Sequence, residues 1–255
     1  RTLVANIDDA HGKDFLNFTV ERILPYRLNN LTLHSLQKDS VTMVIDNVTI
    51  RVPLVGVFNV YNALAAITYA RSIGITLESI RESLAKLPPV AGRVEQFHSA
   101  PNADKKVTVV VDYAHTPDSL TQLYQAFSDK YKIGVLGNTG GGRDTWKRPE
   151  MGAIAEAHCD HVILTNEDPY DEDPQSILDH MRGGMSADAS VEIIMDRRTA
   201  IKAAIERVPE GGYVLVSGKG TDPYIMGPRN TRQDWSDAAV VQALLTERTT
   251  APESQ

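Results

Sequence analysis

VTVVVDYAHTPDSL, residues 107–120, is the stretch from which the fold can be read. Residues 107–111 form an unbroken β-branched run, short enough for a strand buried on both faces. Asp112 ends it, Tyr113-Ala114-His115 makes a tight corner, and Thr116-Pro117-Asp118 opens a helix. Threonine is a hydroxyl N-cap, proline suits the first helical position, and the aspartate meets the positive end of the helix dipole. Such a strand lifts a carboxylate and an imidazole onto the lip before a helix, where open α/β sheets place ligands. On these residues alone, a plain βα corner with a solvated aspartate and a turn histidine is an equal alternative.

The alternation continues downstream. Strands are expected at 107–111, 132–136, 161–165, 191–195 and 212–217, separated by helices at 117–129, 149–157, 174–181 and 197–207. A last helix runs from about Asp237 to Glu247, before a polar tail. Short connections between such elements predict an α/β, doubly wound, mostly parallel sheet. Upstream, residues 2–7 read as a strand followed by a turn through Gly12, and 41–52 alternate on both sides of Asp46-Asn47 as an antiparallel hairpin. Residues 58–72 carry apolar groups at helical spacing with Gly74 as the stop, and Thr76 caps a second helix to about Leu87. Pro88-Pro89 and Ala91-Gly92 break this pattern, which puts a boundary near 92–101 and divides the chain into 1–93 and 94–255. Asp-Pro-Tyr occurs at 168–170 and again at 222–224, a recurrence that reads as chance.

A length of 255 residues suits two domains or one large α/β unit, and 42% hydrophobic residues suffice for a core. No apolar run reaches transmembrane length and no secretory pattern opens the sequence, so a cytoplasmic protein without a membrane partner is expected. The start at Arg1, without methionine, reads as a piece of something longer. Twenty-six Lys and Arg against 33 Asp and Glu leave a net charge of −7, which argues against a broad nucleic-acid surface. The single Cys159 excludes an intramolecular disulfide. It stands in His158-Cys159-Asp160-His161, but consecutive side chains diverge, so no metal is assigned and a buried cysteine at a helix end is expected.

Four loops follow strands at the edge where such sheets hold ligands. The first carries Asp112 and His115; the second is Gly137-Asn138-Thr139-Gly140-Gly141-Gly142-Arg143-Asp144, followed by Lys147-Arg148-Pro149. The spacing is not that of a P-loop, but glycines allow close backbone approach and Arg143 offers a fork to a carboxylate or phosphate. The third, residues 165–174, is half acidic, and a solvated turn capping the helix at Pro174 is its plain reading. The fourth is Ser217-Gly218-Lys219-Gly220-Thr221-Asp222. If the loops converge, the site mixes Arg143, Lys219, Asp168 and Asp222, which suits a zwitterionic partner better than a bare phosphate. No Ser/His/Asp or Cys/His nucleophile arrangement is present.

At these residues the sequence resembles a known family. DYAHTPDSL, the loop ending in GRDTWKRP, TNEDPYDEDP and SGKG are similar to the C-terminal domain of Mur ligases, nearest to the UDP-N-acetylmuramoyl-tripeptide synthetase type. GVFNVYNALAA at 56–66, AGRVEQF at 91–97 and VANIDDAHGKDF at 4–15 extend the resemblance, in order, over nearly the whole chain. It implies that 1–93 is the later part of an ATP-binding central domain and 94–255 a Rossmann-like C-terminal domain. The implied activity is ATP-dependent amide ligation in peptidoglycan precursor and cell-wall synthesis: the third amino acid joins UDP-MurNAc-dipeptide through an acyl phosphate, with Mg²⁺ offsetting charge. The implied partners are UDP-MurNAc-peptide and a free amino acid, acting on a monomer. By resemblance, Asn59, Asn62, Arg93, Asp112 and His115 fall on the nucleotide side, and Arg143, Asp168, Tyr170, Gly218 and Asp222 where the incoming amino acid is held.

The match has departures. Family members that select meso-diaminopimelate carry Asp-Asn-Pro-Arg in the third loop, where this chain has Glu167-Asp168-Pro169-Tyr170. A phenol does not replace a fork with five donors, so lysine, ornithine or a neutral amino acid is expected to serve at least as well. The family's Gly-Lys-Gly-His-Glu is Gly-Lys-Gly-Thr-Asp here. The implied UDP-binding domain, P-loop and carbamylated lysine lie upstream of anything present, so the chain alone is not expected to turn over. A Mur-like ligase acting on another peptide or a polyglutamate, and a non-catalytic nucleotide-binding module, are the alternatives.

Overall fold

The computed structural model describes residues 1–250, so the polar tail at 251–255 lies outside the described residues. The chain divides into two compact units, Arg1–Pro89 and Val90–Gln255.

In the first unit, β1 (Thr2–Asn6) and β2 (Arg22–Tyr26) pair in parallel, and β3 (Leu33–Leu36), β4 (Val41–Ile45) and β5 (Val48–Val52) form an antiparallel sheet. The hairpin at Asp46-Asn47 takes positive φ at both turn residues, 47° and 65°, the geometry that matches strand twist. Alternate residues of β4 and β5, among them Val41, Met43 and Ile50, are fully buried. They pack against Val60, Leu64 and Ile67 of α1 (Val57–Ser72) and Ile80 of α2 (Leu77–Leu84). Thr76 caps α2 by accepting from the Ser79 amide. Strands β2 and β3 are short and rich in exposed or polar positions, so period-two alternation does not mark them.

The second unit is built on six strands: β6 (Glu95–His98), β7 (Thr108–Val111), β8 (Lys132–Leu136), β9 (His161–Leu164), β10 (Val191–Ile193) and β11 (Tyr213–Val216). Their order across the sheet is β10-β9-β8-β11-β7-β6, all parallel except β6. The helices between them are α3 (Pro117–Gln125), α4 (Lys147–His158), α5 (Pro174–Arg182) and α6 (Arg197–Arg207). Helices α3, α4 and α5 lie side by side, while α6 and the last helix, α7 (Asp237–Thr250), cover the opposite face. That face is packed by Val109, Val111, Val135 and Val216 against Ala200, Ile201 and Val241, all fully buried. Strands wrapped on both sides are continuous apolar runs, which is why the 107–111 run identifies the architecture. Because β11 inserts between β7 and β8, the loops following β7, β8, β9 and β11 are neighbours along one edge.

Three elements differ from the sequence reading. Residues 95–98, read as linker, form the antiparallel edge strand β6, because β7 has an open edge and pairs Glu95 with Val111 through His98 with Thr108. Helix α3 stops at Gln125, and Phe127 turns back into the core. A hairpin of β12 (Tyr224–Met226) and β13 (Arg232–Asp234), turning through Arg229 and Asn230 at positive φ, follows the fourth loop.

Cys159 closes α4, and part of the residue stays open to solvent while its thiol turns inward. Its thiol is pushed up to about 12 by burial, with Tyr124 beside it. The neighbouring side chains diverge: Asp160 accepts from the Lys132 amide, whereas His161 meets Ser190 and Glu192.

Candidate functional site

The corner after β7 is fixed by its own carboxylate. Asp112 Oδ1 accepts from the Ala114 amide at 2.7 Å and Oδ2 from the Val94 amide at 2.8 Å. The carboxyl is 8% exposed, and burial raises its pKa against the pull of those two amides, Arg93 and His115. Val94 is held at φ 49°, an uncommon backbone for a β-branched residue, which its bond to Asp112 supports. Beside it, the Arg93 guanidinium lies 4.6 Å from the Tyr113 ring centre, and that ring meets His115 edge-on at 4.7 Å. His115 Nδ1 donates to Tyr113 O at 2.8 Å, which leaves Nε2 as the acceptor of the neutral ring. Lys147 reaches across to donate to His115 O at 3.0 Å. Arg93, Asp112 and His115 therefore share one corner.

The second and third loops are zipped together by three bonds. Gly140 N donates to Asp168 O at 2.7 Å, Thr139 Oγ1 donates to Glu167 Oε1 at 3.0 Å, and Gly142 N donates to Glu172 Oε1 at 2.6 Å. A β-carbon on Gly140 would fall well inside contact distance of Pro169 O, so only glycine lets the two backbones approach this closely. Arg143 is exposed and stands 5.8 Å from the centre of the Tyr170 ring. Tyr170 takes φ 52° and donates its amide to Met226 O, so the β12–β13 hairpin buttresses the third loop.

The fourth loop joins through Lys219. Its ammonium, 1% exposed, lies 2.8 Å from both oxygens of Asp168 and 3.6 Å from Asp222. Met226 N donates to Asp168 Oδ1 as well, so this carboxylate is committed to the scaffold, whereas the Asp222 side chain is 41% exposed. Gly218 sits at φ 106° against the Glu167 carboxylate. The two Asp-Pro-Tyr stretches thus meet at one lysine. Convergence brings Lys219, Asp168 and Asp222 together; Arg143 stands apart from them, over Tyr170.

Beneath these loops lies a layer that the sequence reading missed. Arg197, fully buried, donates from Nε and Nη2 to the two oxygens of Asp237 at 2.8 and 2.7 Å. It also donates to Ser217 O, the first residue past β11, and to Asn166 O, the second past β9. Glu167 is buried beside it, and burial raises its pKa while Arg197 lowers it. Arg197 and Asp237 each open a helix in the sequence, and that position was the only signal they gave.

Asn59 and Asn62 belong to the first unit, one turn apart at the start of α1. Asn59 Nδ2 donates to Val55 O at 2.8 Å, and Asn62 Nδ2 donates to Asn59 Oδ1 at 3.1 Å. The corner at Asp112 fits a nucleoside: each carboxylate oxygen keeps a lone pair beyond its backbone bond, and ring faces and an imidazole acceptor stand beside it. Among the described residues no group of three or more His, Cys, Asp and Glu side chains is arranged to hold a metal ion. None of the described helices is long and apolar enough to cross a membrane.

Comparison with known proteins agrees with this architecture. Residues 92–220 match the model of the family described as Mur ligase, glutamate ligase domain. The chain is 40% identical over 233 residues to the UDP-N-acetylmuramoyl-L-alanyl-D-glutamate–2,6-diaminopimelate ligase of Thermosynechococcus vestitus, covering 90% of this chain and 45% of that protein. The enzyme of the same name from Geobacillus kaustophilus is 41% identical over 199 residues, covering 76% of this chain and 40% of that one. A solved structure of a ligase of this name superposes with a TM-score of 0.62 at 30% identity, covering 98% of this chain and 54% of that one. The chain thus spans about half the length of the curated relatives it matches.

Proposed function

The chain belongs to the Mur ligase family, and from that premise we propose that it is the acceptor-side half of a cytoplasmic, ATP-dependent ligase that adds the third amino acid to UDP-MurNAc-dipeptide. In this reading residues 1–93 belong to the ATP-binding central domain and 94–255 form the C-terminal domain. The observation that carries the proposal is the convergence, within one unit, of the loops after β9 and β11 at the Lys219–Asp168 pair, with the exposed Arg143 over Tyr170 of the same third loop.

The roles follow from what each side chain has left to offer. Arg143 is the exposed fork for the α-carboxylate of the incoming amino acid. Asp222, half exposed, is the carboxylate placed to receive an ammonium, whereas Asp168 is spent on Lys219 and Met226. Tyr170 supplies a wall for the side chain, and Gly218 brings the fourth loop's backbone close. Asp112 would accept from ribose hydroxyls with its remaining lone pairs, while Arg93 and His115 border the nucleotide; in the first unit, Asn59 and Asn62 are read by resemblance as nucleotide contacts. ATP, when bound, supplies the phosphoryl group that activates the acceptor carboxylate. The protein's part is to hold amine and carboxylate in reach and to shape the field around them.

The names of the relatives make 2,6-diaminopimelate the first amino acid to test, with lysine as its rival. The test is amino-acid-dependent phosphate release with ATP, Mg²⁺ and UDP-MurNAc-dipeptide, using a protein that joins this chain to an upstream half like that of its relatives. Release requiring both the amino acid and the UDP-dipeptide is expected. Nucleotide binding without release would instead favour a non-catalytic module.

A further inference from the structure

Arg143 is the one exposed cation of the glycine-rich loop that the reading above gives to the substrate, and its side chain rests over the Tyr170 ring. The loop's backbone is anchored elsewhere. Glu172 accepts from Gly142 N at 2.6 Å through Oε1 and from Arg148 Nη2 at 2.9 Å through Oε2. Arg148 is 1% exposed, and the same guanidinium donates to Thr139 O at 3.3 Å and faces His180 Nδ1 at 3.4 Å. One buried cation therefore grips the loop's beginning at Thr139, and through Glu172 it grips the residue directly before Arg143.

We propose that Arg148 and Glu172 form a latch that fixes the glycine-rich loop and so aims the Arg143 guanidinium, which makes both positioning residues for amino-acid binding. The inference rests on the reading of Arg143 as the carboxylate fork. Gly141 and Gly142 run at φ 76° and 71°, backbone that glycine reaches freely and therefore leaves freely when untied. A carboxylate bridging an amide and a guanidinium removes that freedom with two charge-assisted bonds. The Gly142 amide and Arg148 hold the Glu172 carboxyl below the usual carboxylate range, so the latch is intact throughout the neutral range.

Hydrogen–deuterium exchange on this chain tests the latch without any turnover. Glu172→Ala should speed exchange across residues 140–144 by about tenfold or more while the β8 and β11 amides keep their protection. Glu172→Gln, whose Oε1 still accepts from Gly142 but whose amide nitrogen opposes Arg148, should fall between. In the complete ligase, Glu172→Ala should raise the amino-acid KM by about tenfold with kcat and the ATP KM changed far less. Unchanged exchange at 140–144, or a loss of protection spread over the whole sheet, overturns the latch. Exchange that rises while the amino-acid KM stays put overturns the positioning role. An Arg143→Ala control separates the two readings: if it also leaves that KM unmoved, Arg143 is not the fork, and the exchange result alone judges the latch.

Discussion

The Lys219 ammonium sits 2.8 Å from each carboxylate oxygen of Asp168, so one buried ion pair fastens the loop after β11 to the loop after β9. Neither group has water to fall back on. Lys219→Met would leave Asp168 buried and unpaired, at a cost of about 3–5 kcal/mol to the second unit. Adding Asp168→Leu should return part of that loss, because the stranded charge is gone. Urea unfolding of the single and double variants measures both effects. A Lys219→Met loss below about 1 kcal/mol would mean the pair is no stronger than a surface one.

Glu167 gives the fold a pH dependence of unusual sign. Burial raises its carboxyl above the ordinary value, so the folded state holds the proton more tightly than the unfolded chain does. Its contribution is fully present below the unfolded pKa and is lost as pH rises through the raised, folded one. Glu167→Gln keeps an acceptor for the Thr139 hydroxyl and removes the titration. The variant should match the parent in mild acid and melt higher than it at neutral pH. Melting curves collected between pH 4 and 8 decide this, and parallel profiles for the two proteins would count against it.

Asp112 is expected to serve two tasks, and one substitution should disturb both. Asp112→Ala removes the acceptor of the Val94 and Ala114 amides, charge-assisted bonds worth about 1.5–3 kcal/mol each. In the complete ligase the ATP requirement should rise by roughly ten- to several-hundred-fold. In this chain, proteolysis near Arg93 should accelerate as the Val94 backbone relaxes. An unchanged response to ATP would remove Asp112 from the nucleotide site and leave it as a fastener of the corner.

At Tyr170 the expected change is in selectivity. The phenol faces Arg143 and offers no charge to a distal carboxylate, whereas diaminopimelate has one and lysine does not. Tyr170→Arg should shift preference toward diaminopimelate by about 2 kcal/mol, or roughly thirtyfold. Competition between the two amino acids in the phosphate-release assay reports the ratio. A strong preference for diaminopimelate in the parent, unmoved by Tyr170→Phe, would assign the clamp to another cation.

What could be read from the chain divides along physical lines. Strands β7, β8, β9 and β11 are short and dominated by buried apolar residues, and Thr116, Asp173 and Thr76 are helix caps, so local chemistry declares them. Strand β6 carries Glu95, Gln96 and His98, and only the open edge of β7 makes it a strand. The meeting of the third and fourth loops depends on β11 inserting between β7 and β8, which no local pattern announces. The burial of Asp168 against Lys219 was out of reach for the same reason: adjacency in sequence says nothing of which carboxylate a lysine will choose. Arg197 and Asp237, forty residues apart, gave no sign that they would meet.

Strand β6 also decides where this unit can be cut. It lies immediately after the Pro88–Gly92 break and, among the described residues, is the only strand laid against the outer side of β7. A fragment begun at Pro101 would keep every parallel strand and still bare the backbone of Val109, Val110 and Val111 along an unguarded border. Uncovered apolar borders recruit other chains. Recombinant versions of the second unit should therefore start at or before Val90, and shorter ones should be recovered as aggregates whatever the quality of their core.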